Sequence, residues 1–329
     1  MPRPVLLFSG QWTDVPFESL TAKVAEWGYH GFDLTCWGDH FEVQRALSED
    51  EYCQEKLELL GRYDLQLLVL SNHRVSQAVC DPIDRRHQQL LPDYVWDDGD
   101  PQGVRERAVE EMMATIRAAE KMGLAVVSGF SGSPIWSYVA GYPGADLDTV
   151  RQGLDFFAAC WEPIFDVCRE TGIRYALEVH PGQIAFDYYS TELLLDAMSG
   201  RDELGLTFDP SHLLWQGIDP VEFIRRFGDR IYHVHIKDAM LTLNGRTGLL
   251  NSYAPHGDIR RGWEFRSPGH GGIDWEAIIR ALNEVGYEGP LAVEWKDAGM
   301  DREYGAEDAC HFVKRLDFDP APRDEEPFR

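Results

Sequence analysis

Hydrophobic and polar positions alternate regularly along the chain, with short apolar runs separated by longer amphipathic stretches. Short apolar runs are typical of buried strands, and apolar residues at helical spacing are typical of helices. The pattern predicts eight strands, at Val5–Phe8, Gly31–Leu34, Leu65–Leu70, Ala125–Phe130, Arg174–Val179, Leu204–Phe208, Ile231–Ile236 and Pro290–Glu294. It predicts eight helices, at Phe17–Trp27, Glu49–Arg62, Val104–Met122, Val150–Glu170, Thr191–Met198, Pro220–Phe227, Trp275–Val285 and Ala306–Leu316.

Glycines mark the points where a predicted helix ends and the next strand begins. Gly28, Gly123, Gly172 and Gly286 occupy the position after a helix, where glycine adopts a left-handed backbone without a steric penalty. The helix-to-strand joints are therefore short, whereas the strand-to-helix joints are longer and more varied. This arrangement predicts an α/β fold of the (β/α)8 TIM barrel type. A doubly wound open sheet is the alternative, but no GxGxxG motif follows the first strand.

The barrel is predicted to be a single catalytic domain over residues 1–316, followed by a polar tail over 317–329 that is expected to be flexible. Two strand-to-helix loops are unusually long, one over about 71–103 and the other over about 239–272. Loops of this length are commonly functional. Both contain Trp, Tyr, Arg and His, so we expect ordered lids that contact a ligand, with a packing or oligomer contact as the alternative.

Composition excludes several classes of function. The chain has 56 acidic and 31 basic residues and a net charge of −25, which disfavours binding to nucleic acids and to anionic membranes. No uncharged apolar stretch approaches the length of a membrane span, and no signal peptide is evident, so a cytoplasmic location is expected. The cysteines are scattered without a CxxC pair and are expected to be reduced thiols.

Residues that can bind a divalent metal stand at the ends of four consecutive predicted strands. Glu178, Asp209, His235 and Glu294 each follow an apolar run, and in a barrel the ends of neighbouring strands meet at one mouth. Three carboxylates and one imidazole favour Mn²⁺, with Mg²⁺, Co²⁺ or Zn²⁺ as alternatives, over a thiolate-type zinc site. The pattern therefore predicts one metal centre and an enzyme.

The alternation of side chains along a strand extends this site. Residues two apart share a face, so Glu178 and His180 point the same way, as do His233 and His235. Either of the latter two could be the ligand, and His235 is chosen because it lies closer to the strand end. His180 and His212 are candidates for contacts to substrate, although a buried, hydrogen-bonded histidine is the simpler interpretation of each.

Four further residues near predicted strand ends are candidates for binding or catalysis. His270, between the second long loop and the next helix, is a candidate catalytic residue or simply part of a glycine turn. Lys237 could hold a substrate oxygen or neutralise nearby carboxylates. Trp37 and Trp136 could stack on a sugar, although core packing is the usual role of tryptophan. The only local basic cluster suited to a phosphate is in the second loop, at Arg260, Arg261 and Arg266.

The chain contains the motifs LEVHP, FDPSH, HVHIKD, GHGGIDW and LAVEW. In order and spacing they resemble the xylose isomerase-like barrels known as sugar phosphate isomerases/epimerases. In the ketose 3-epimerases of that group, the matching Glu, Asp, His and Glu bind a metal, often Mn²⁺. The resemblance thus implies that Glu178, Asp209, His235 and Glu294 are ligands. It also implies that both glutamates act as acid/base groups and that His212 contacts substrate.

One departure affects the expected reaction. The ketose 3-epimerases carry an arginine a few residues after the metal-binding histidine, whereas here the first arginine is Arg246. Together with the long loops, this is more similar to a subfamily that includes the larger subunits of bacterial C-glycoside deglycosidases. The expected function is a metal-dependent sugar isomerase or epimerase with a carbohydrate substrate, acting as a homo-oligomer. A lyase on 3-oxo-glycosides that pairs with a small β-rich subunit, or a non-catalytic sugar-binding barrel, are the alternatives.

Overall fold

The computed structural model describes residues 2–320 and contains a closed barrel of eight parallel strands. The barrel strands are β1 Val5–Phe8, β2 Gly31–Thr35, β3 Gln66–Ser71, β4 Val126–Gly129, β5 Arg174–Glu178, β6 Leu204–Phe208, β7 Ile231–Ile236 and β10 Leu291–Val293. Their order around the barrel is β1-β10-β7-β6-β5-β4-β3-β2. Each strand pairs in parallel with both neighbours, which confirms the predicted TIM barrel.

Helices surround the barrel and connect its strands. They are α1 Phe17–Glu26, α2 Val43–Ser48, α3 Asp50–Gly61, α4 His73–Gln77, α5 Asp93–Trp96, α6 Pro101–Lys121, α7 Leu147–Thr171, α8 Tyr188–Ala197, α9 Pro210–Leu214, α10 Pro220–Phe227, α11 Trp275–Glu284 and α12 Arg302–Leu316. All eight predicted helices are present with small shifts at their ends, and the additional short helices lie in strand-to-helix loops.

The glycines after four helices have the backbone that was predicted for them. Gly28, Gly123, Gly172 and Gly286 have φ values of 85°, 73°, 73° and 74°. A side chain is strained in this region of backbone space, so glycine permits the chain to leave a helix and enter the next strand within a few residues. These tight turns lie at the end of the barrel where the strands begin, and the long loops lie at the end where the strands finish.

Aromatic packing between α7 and β5 illustrates how the outer helices hold the strands. Phe157, Trp161 and Phe165 recur at helical spacing, and their rings stack with centroids 5.8 and 5.5 Å apart. Trp161 also packs on Tyr175 of β5, at 4.7 Å between ring centroids. All four side chains are fully buried. This aromatic packing fixes β5 and so places its last residue, Glu178, at the barrel mouth.

Both long loops contain secondary structure. The loop after β3 contains α4 and α5, and the loop after β7 contains an antiparallel hairpin of β8 Asp238–Leu241 and β9 Trp263–Arg266. The carboxylate of Asp238 accepts hydrogen bonds from the backbone of Gly269 and Gly271, at 3.1 Å each, and from Trp275 Nε1 at 2.8 Å. Asp238 therefore ties the chain that returns from the hairpin to the start of α11.

The tail predicted over 317–329 begins with an anchored residue. The buried carboxylate of Asp317 accepts a hydrogen bond of 2.7 Å from the backbone N–H of Arg3 and forms an ion pair with the Arg3 guanidinium. The rest of the prediction, over 321–329, lies outside the described residues. All six cysteines are free thiols, as expected. No helix within residues 2–320 combines the length and apolar character needed to cross a membrane.

Candidate metal centre

Four side chains from the ends of neighbouring barrel strands converge at the mouth. Glu178 ends β5, Asp209 directly follows β6, His235 lies in β7 and Glu294 directly follows β10. One potential ligand atom from each lies within 4.8 Å of those from the other three, and all four residues are buried. We call this group the strand-end cluster. The structure brings His235, rather than His233, into it.

Two atoms of the strand-end cluster are buried without a hydrogen bond. Asp209 Oδ1 accepts from the backbone N–H of Ser211 at 2.8 Å, which leaves Oδ2 facing the cluster with no hydrogen bond. Nδ1 of His235 is likewise buried without a hydrogen bond, and it lies 3.2 Å from Glu294 Oε2. Buried polar atoms that make charge contacts but no hydrogen bond commonly mark the place of a bound ion or ligand. A carboxylate oxygen and an imidazole nitrogen are suitable ligands for a divalent cation.

Lys237 partly neutralises the strand-end cluster in the structure. Its Nζ lies 2.7 Å from Glu294 Oε1, 3.3 Å from Asp209 Oδ2 and 3.1 Å from His212 Nε2. Burial alone would lower the pKa of Lys237, but the nearby carboxylates of Glu294 and Asp209 outweigh burial and raise it. Burial would likewise raise the pKa of Glu294, but Lys237 and His235 hold it well below its usual range. The lysine is thus charged and Glu294 is ionised.

A second group of carboxylate and imidazole side chains lies below the strand-end cluster and shares His235 with it. Asp33 Oδ2 accepts hydrogen bonds from Nε2 of His233 at 2.8 Å and from Nε2 of His235 at 3.0 Å. Ser71 Oγ donates to Asp33 Oδ1. We call Asp33, His233 and His235 the Asp33 triad. Because His235 uses Nε2 for Asp33, its Nδ1 is left for the strand-end cluster, an arrangement that commonly orients metal-binding histidines.

Two residues that sequence reasoning did not select contact the glutamates of the cluster. His73, the first residue of α4, places Nε2 2.8 Å from Glu178 Oε2. Gln11 donates from Nε2 to Glu294 Oε1 at 3.0 Å. Both follow strands of the first half of the chain, β3 and β1. Both residues could have been selected from the sequence, because they come just after predicted strands, as the four proposed ligands do.

A cavity of about 520 Å³ lies above the strand-end cluster. Of the predicted substrate contacts, Trp37, His180, His212 and Lys237 line it. The hairpin and α9 contribute an aromatic wall, in which Trp215 and Trp263 stack with parallel rings 4.7 Å apart. The remaining lining includes His256 and Phe265 of the hairpin and, from other elements, Phe8, Gln11, His73, Arg74, Phe130 and Lys296.

The two histidines beside Glu178 differ in their charge. His212 Nε2 lies 3.4 Å from Glu178 Oε1 and 3.3 Å from Asp209 Oδ2. Burial would lower the pKa of His212, but the two carboxylates raise it. Burial and the neighbouring His212 lower the pKa of His180 to about 3, and its Nδ1 lies 2.6 Å from the carbonyl oxygen of Pro181. His180 is therefore a neutral side chain on the cavity wall.

Two predicted site residues do not reach the cavity. His270 is half-exposed and places Nε2 2.9 Å from Asp308 of α12, because Asp238 holds the GHGG turn by its backbone and directs this side chain outward. The expectation of a catalytic His270 is not supported by this position. Trp136 packs on Phe186, at 5.2 Å between ring centroids, and lines a separate cavity of about 410 Å³.

Comparison with known sequences identifies relatives along most of the chain. A family model described as "Xylose isomerase-like TIM barrel" matches residues 21–316. The uncharacterized protein YfiH of Bacillus subtilis is 24% identical over 314 residues, which cover 92% of this chain and 95% of YfiH. Inosose dehydratase of Geobacillus kaustophilus is 32% identical over 168 residues, covering 47% of this chain and only 53% of that enzyme.

Solved structures with the same fold include proteins of several activities. The probable 3-DHS dehydratase AsbF of Bacillus anthracis has a TM-score of 0.66 at 17% identity, covering 94% of this chain and 98% of AsbF. The 3-keto-D-glucoside 4-epimerase YcjR of E. coli has a TM-score of 0.66 at 12% identity, with 95% and 99% covered. The IolI protein, solved with a bound zinc atom, has a TM-score of 0.62 at 16% identity, with 95% and 96% covered.

Proposed function

The chain belongs to the xylose isomerase-like TIM barrel family, and from that premise we propose that it is a divalent-metal-dependent sugar isomerase or epimerase. It would remove a proton next to a carbonyl group and add a proton at a different face or carbon. The observation that carries the proposal is the strand-end cluster, whose Asp209 Oδ2 and His235 Nδ1 are buried without hydrogen bonds beneath a substrate-sized cavity. In support, one relative is named an inosose dehydratase and one structural neighbour a 3-keto-D-glucoside 4-epimerase.

Glu178, Asp209, His235 and Glu294 would hold the ion, with Mn²⁺ as the first choice for a set of three carboxylates and one imidazole. When bound, the cation would act as a Lewis acid that stabilises negative charge on the substrate oxygens. Lys237 Nζ lies 2.7 Å from Glu294 Oε1 and 3.3 Å from Asp209 Oδ2, so it offsets part of their negative charge. With the ion bound, Lys237 would still offset part of that charge.

The two glutamates are suited to move the proton. Both are buried, and although burial would raise their pKa values, neighbouring histidines and, for Glu294, Lys237 keep them below the usual range, so both are ionised. They belong to β5 and β10, which are separated by β6 and β7 in the barrel, so they approach the cavity from different sides. One ionised carboxylate can remove a proton from a carbon between them. The other must first take a proton from solvent and can then deliver it to the opposite face of that carbon.

The polar side chains beside the glutamates would position the substrate. His73 and Gln11 contact the two catalytic carboxylates directly and restrain their orientation. His180 and His212 present ring nitrogens next to Glu178, where hydroxyl groups can bind. The stacked Trp215 and Trp263 cover the outer side and would exclude water from the reacting atoms, which strengthens every electrostatic contact inside.

A second candidate function is elimination from the same enediolate-type intermediate. The cavity contains ammonium groups, from Lys237 and Lys296, that could donate a proton to a departing oxygen. A dehydratase would expel water, in line with the inosose dehydratase relative. A lyase on 3-oxo-glycosides would expel an aglycone, and that form would act with a small β-rich subunit rather than as a homo-oligomer.

The experiment uses Mn²⁺-loaded protein in D₂O with free ketoses and, separately, with inososes and 3-oxo-glycosides, followed by NMR. Deuterium incorporation together with a new epimer or isomer supports the first function. Loss of water or release of an aglycone instead supports elimination. If a metal binds but no substrate exchanges a proton, the proposal fails for the classes tested. Failure of the protein to bind any divalent metal would overturn the proposed function.

A further inference from the structure

His256 lies on the hairpin side of the cavity, in the segment that joins β8 to β9. It lines the cavity, and its ring stacks on the ring of Phe265, with centroids 5.1 Å apart and planes inclined by 28°. The ring of Trp263 meets the imidazole edge to face, at 5.8 Å between centroids. Two aromatic side chains of β9 therefore hold the imidazole against the cavity wall and restrict how it can turn.

Hydrogen bonds tie the segment that carries His256 to the start of β9. Asn251 Oδ1 accepts from the backbone N–H of Gly262 at 2.8 Å. The guanidinium of Arg261 donates to the carbonyl oxygen of Ala254, also at 2.8 Å. One of these bonds begins before His256 in the chain and the other ends after it, so the position of the imidazole is held from both directions.

The buried Glu264 of β9 fixes the tautomer of His256. Glu264 Oε1 pairs with the guanidinium of Arg261, and Oε2 lies 3.3 Å from His256 Nδ1. The backbone N–H of Gly257 donates to the same Oε2 at 3.1 Å. A carboxylate that is paired with arginine only accepts hydrogen bonds, so Nδ1 must carry the ring proton. Nε2 is then an acceptor, and within residues 2–320 it has no hydrogen-bond partner.

Nearby cations keep His256 neutral. Burial and the charges of Lys296 and Arg261 lower the pKa of His256 to about 4, and the carboxylate of Glu264 offsets these effects only in part. A neutral imidazole with a protonated Nδ1 can only accept at Nε2. Lys296 Nζ also packs on Phe265, 4.9 Å from the ring centroid. The same part of the wall thus offers an acceptor from His256 and ammonium donors from Lys296.

Arg261 belongs to the basic cluster that the sequence indicated as the local phosphate site. Each arginine of that cluster has an acidic partner: Arg260 pairs with Asp258, Arg261 pairs with Glu264, and Arg266 lies 3.6 Å from Asp297. The cluster is therefore already neutralised by acidic side chains. In place of binding a phosphate, Arg261 holds the carboxylate that orients His256.

Phe265 also lies next to the strand-end cluster. Lys237 Nζ is 4.6 Å from the centroid of the Phe265 ring and 2.7 Å from Glu294 Oε1. His256 is therefore separated from the cluster by little more than one aromatic ring and one ammonium group. A sugar whose carbonyl end meets the cluster can place a more distant hydroxyl group at His256.

We propose that His256 is a specificity-determining residue, whose Nε2 accepts a hydrogen bond from a substrate hydroxyl group on a carbon away from the reacting carbonyl. The inference rests on the proposed function and adds to it a residue that selects the substrate from the hairpin side. Glu264 is a positioning residue, because it acts through the tautomer of His256. A hydroxyl oxygen can accept from Lys296 while its proton is donated to Nε2. A methylene group or a carbonyl oxygen at that place offers no proton and leaves the acceptor unmatched.

Nitrogen-15 NMR of the histidine side chains tests the assignment directly. In Mg²⁺-loaded protein at neutral pH, the His256 ring should have a protonated Nδ1 and an unprotonated Nε2, and its signals are those that disappear in His256→Phe. At least one of D-fructose, scyllo-inosose and methyl 3-oxo-β-D-glucoside should bind, shift the Nε2 signal and leave Nδ1 protonated. A protonated Nε2 in the free protein, or an Nε2 signal that none of the three sugars shifts, overturns the proposal.

His256→Phe keeps an aromatic ring for Phe265 to stack on and removes the acceptor. We expect the affinity for the sugar that shifts Nε2 to fall about tenfold, because one substrate hydroxyl loses its hydrogen bond. Proton exchange at saturating sugar should stay within about twofold, the pattern of a lost binding contact rather than a damaged fold. His311→Phe makes the same change at an exposed position on α12 and should alter neither quantity. Unchanged affinity in His256→Phe would refute the assignment.

Glu264→Gln tests the positioning role separately. An amide can donate as well as accept, so the Nε2-protonated tautomer of His256 should appear in the NMR spectrum, and sugar affinity should fall in proportion to its population. His256 signals identical to those of the wild type would remove Glu264 from the assignment.

The role of His256 and the proposed reaction can fail separately, because the Nε2 signal reports binding and deuterium incorporation reports proton exchange. A sugar that shifts Nε2 without exchanging a proton would retain the role of His256 in binding and remove the proposed reaction. A sugar that exchanges its proton while Nε2 stays unshifted would retain the reaction and remove the role of His256.

Discussion

The strand-end cluster and the Asp33 triad are built from the same kinds of side chain and share His235. They differ in which of their carboxylate oxygens and ring nitrogens make hydrogen bonds. In the triad, both oxygens of Asp33 are matched, because Oδ2 accepts from both imidazoles and Ser71 donates to Oδ1, although Nδ1 of His233 is buried without a hydrogen bond. In the cluster, Asp209 Oδ2 and His235 Nδ1 have no hydrogen bond. Either set is close enough to hold an ion, so proximity does not distinguish them.

The two groups differ in which atoms remain available to bind an ion. Burial would raise the pKa of Asp33, but the hydrogen bonds from His233 and His235 outweigh it and lower the pKa, so the carboxylate is ionised and already matched. The triad is closed from the cavity, whereas Glu178 and Glu294 line it. We infer that the triad orients His235 and that the cluster binds the ion. Four substitutions test this division, from the largest expected effect to the smallest.

Replacing Glu294 with glutamine removes a carboxylate that is both a proposed ligand and a proposed proton carrier. We expect proton exchange in D₂O to fall by about 10²–10⁴-fold, the usual contribution of a positioned acid/base group, and metal affinity to fall with it. NMR exchange rates and calorimetry measure the two effects. Glu55→Gln makes the same change at an exposed position on α3 and serves as the control. Full exchange activity in Glu294→Gln would remove this residue from the mechanism.

Replacing Asp33 with asparagine keeps the shape of the triad but removes the charge behind His235. We expect Mn²⁺ affinity to fall by about 10–100-fold, as is typical when the partner of a metal-binding histidine is lost. Calorimetry gives the affinity, and the dependence of the thermal midpoint on Mn²⁺ gives an independent reading. An unchanged affinity would mean that the Asp33 triad is structural only.

Replacing His233 with glutamine tests whether the triad itself binds an ion. Glutamine can still donate to Asp33, so we expect Mn²⁺ affinity to remain within about threefold and the free energy of unfolding to fall by roughly 1–3 kcal/mol. Both wild type and variant should bind one ion per chain by calorimetry. Two ions in the wild type and one in the variant would reverse the distinction between cluster and triad.

Replacing His270 with alanine should have almost no effect. The side chain pairs with Asp308 on the outer surface, and an exposed pair of this kind contributes about 0–1 kcal/mol to stability. Exchange rate and metal affinity should both stay within about twofold of wild type. A large loss of exchange activity would show that the GHGG turn moves into the cavity when substrate binds.

Much of the fold could be read from the pattern of the chain because each element carries its own local signal. Apolar runs located all eight barrel strands, and glycines such as Gly172 located the turns between helices and strands. The convergence of Glu178, Asp209, His235 and Glu294 also followed from order alone, since consecutive parallel strands end at one mouth. The short helices α4 and α5 and the hairpin of β8 and β9 were not predicted, because loop structure depends on contacts with the barrel.

The sequence by itself determined the barrel and which residue types stand at its strand ends, since periodicity and chain order are local properties. Only the tertiary structure decided that Asp33 lies behind His235, that His73 and Gln11 reach the glutamates, and that His270 turns away. It also decided that His256 and Lys296 both pack on Phe265 at the cavity wall. These facts depend on which side chains from distant segments satisfy one another's hydrogen bonds and charges, and no spacing along the chain encodes that matching.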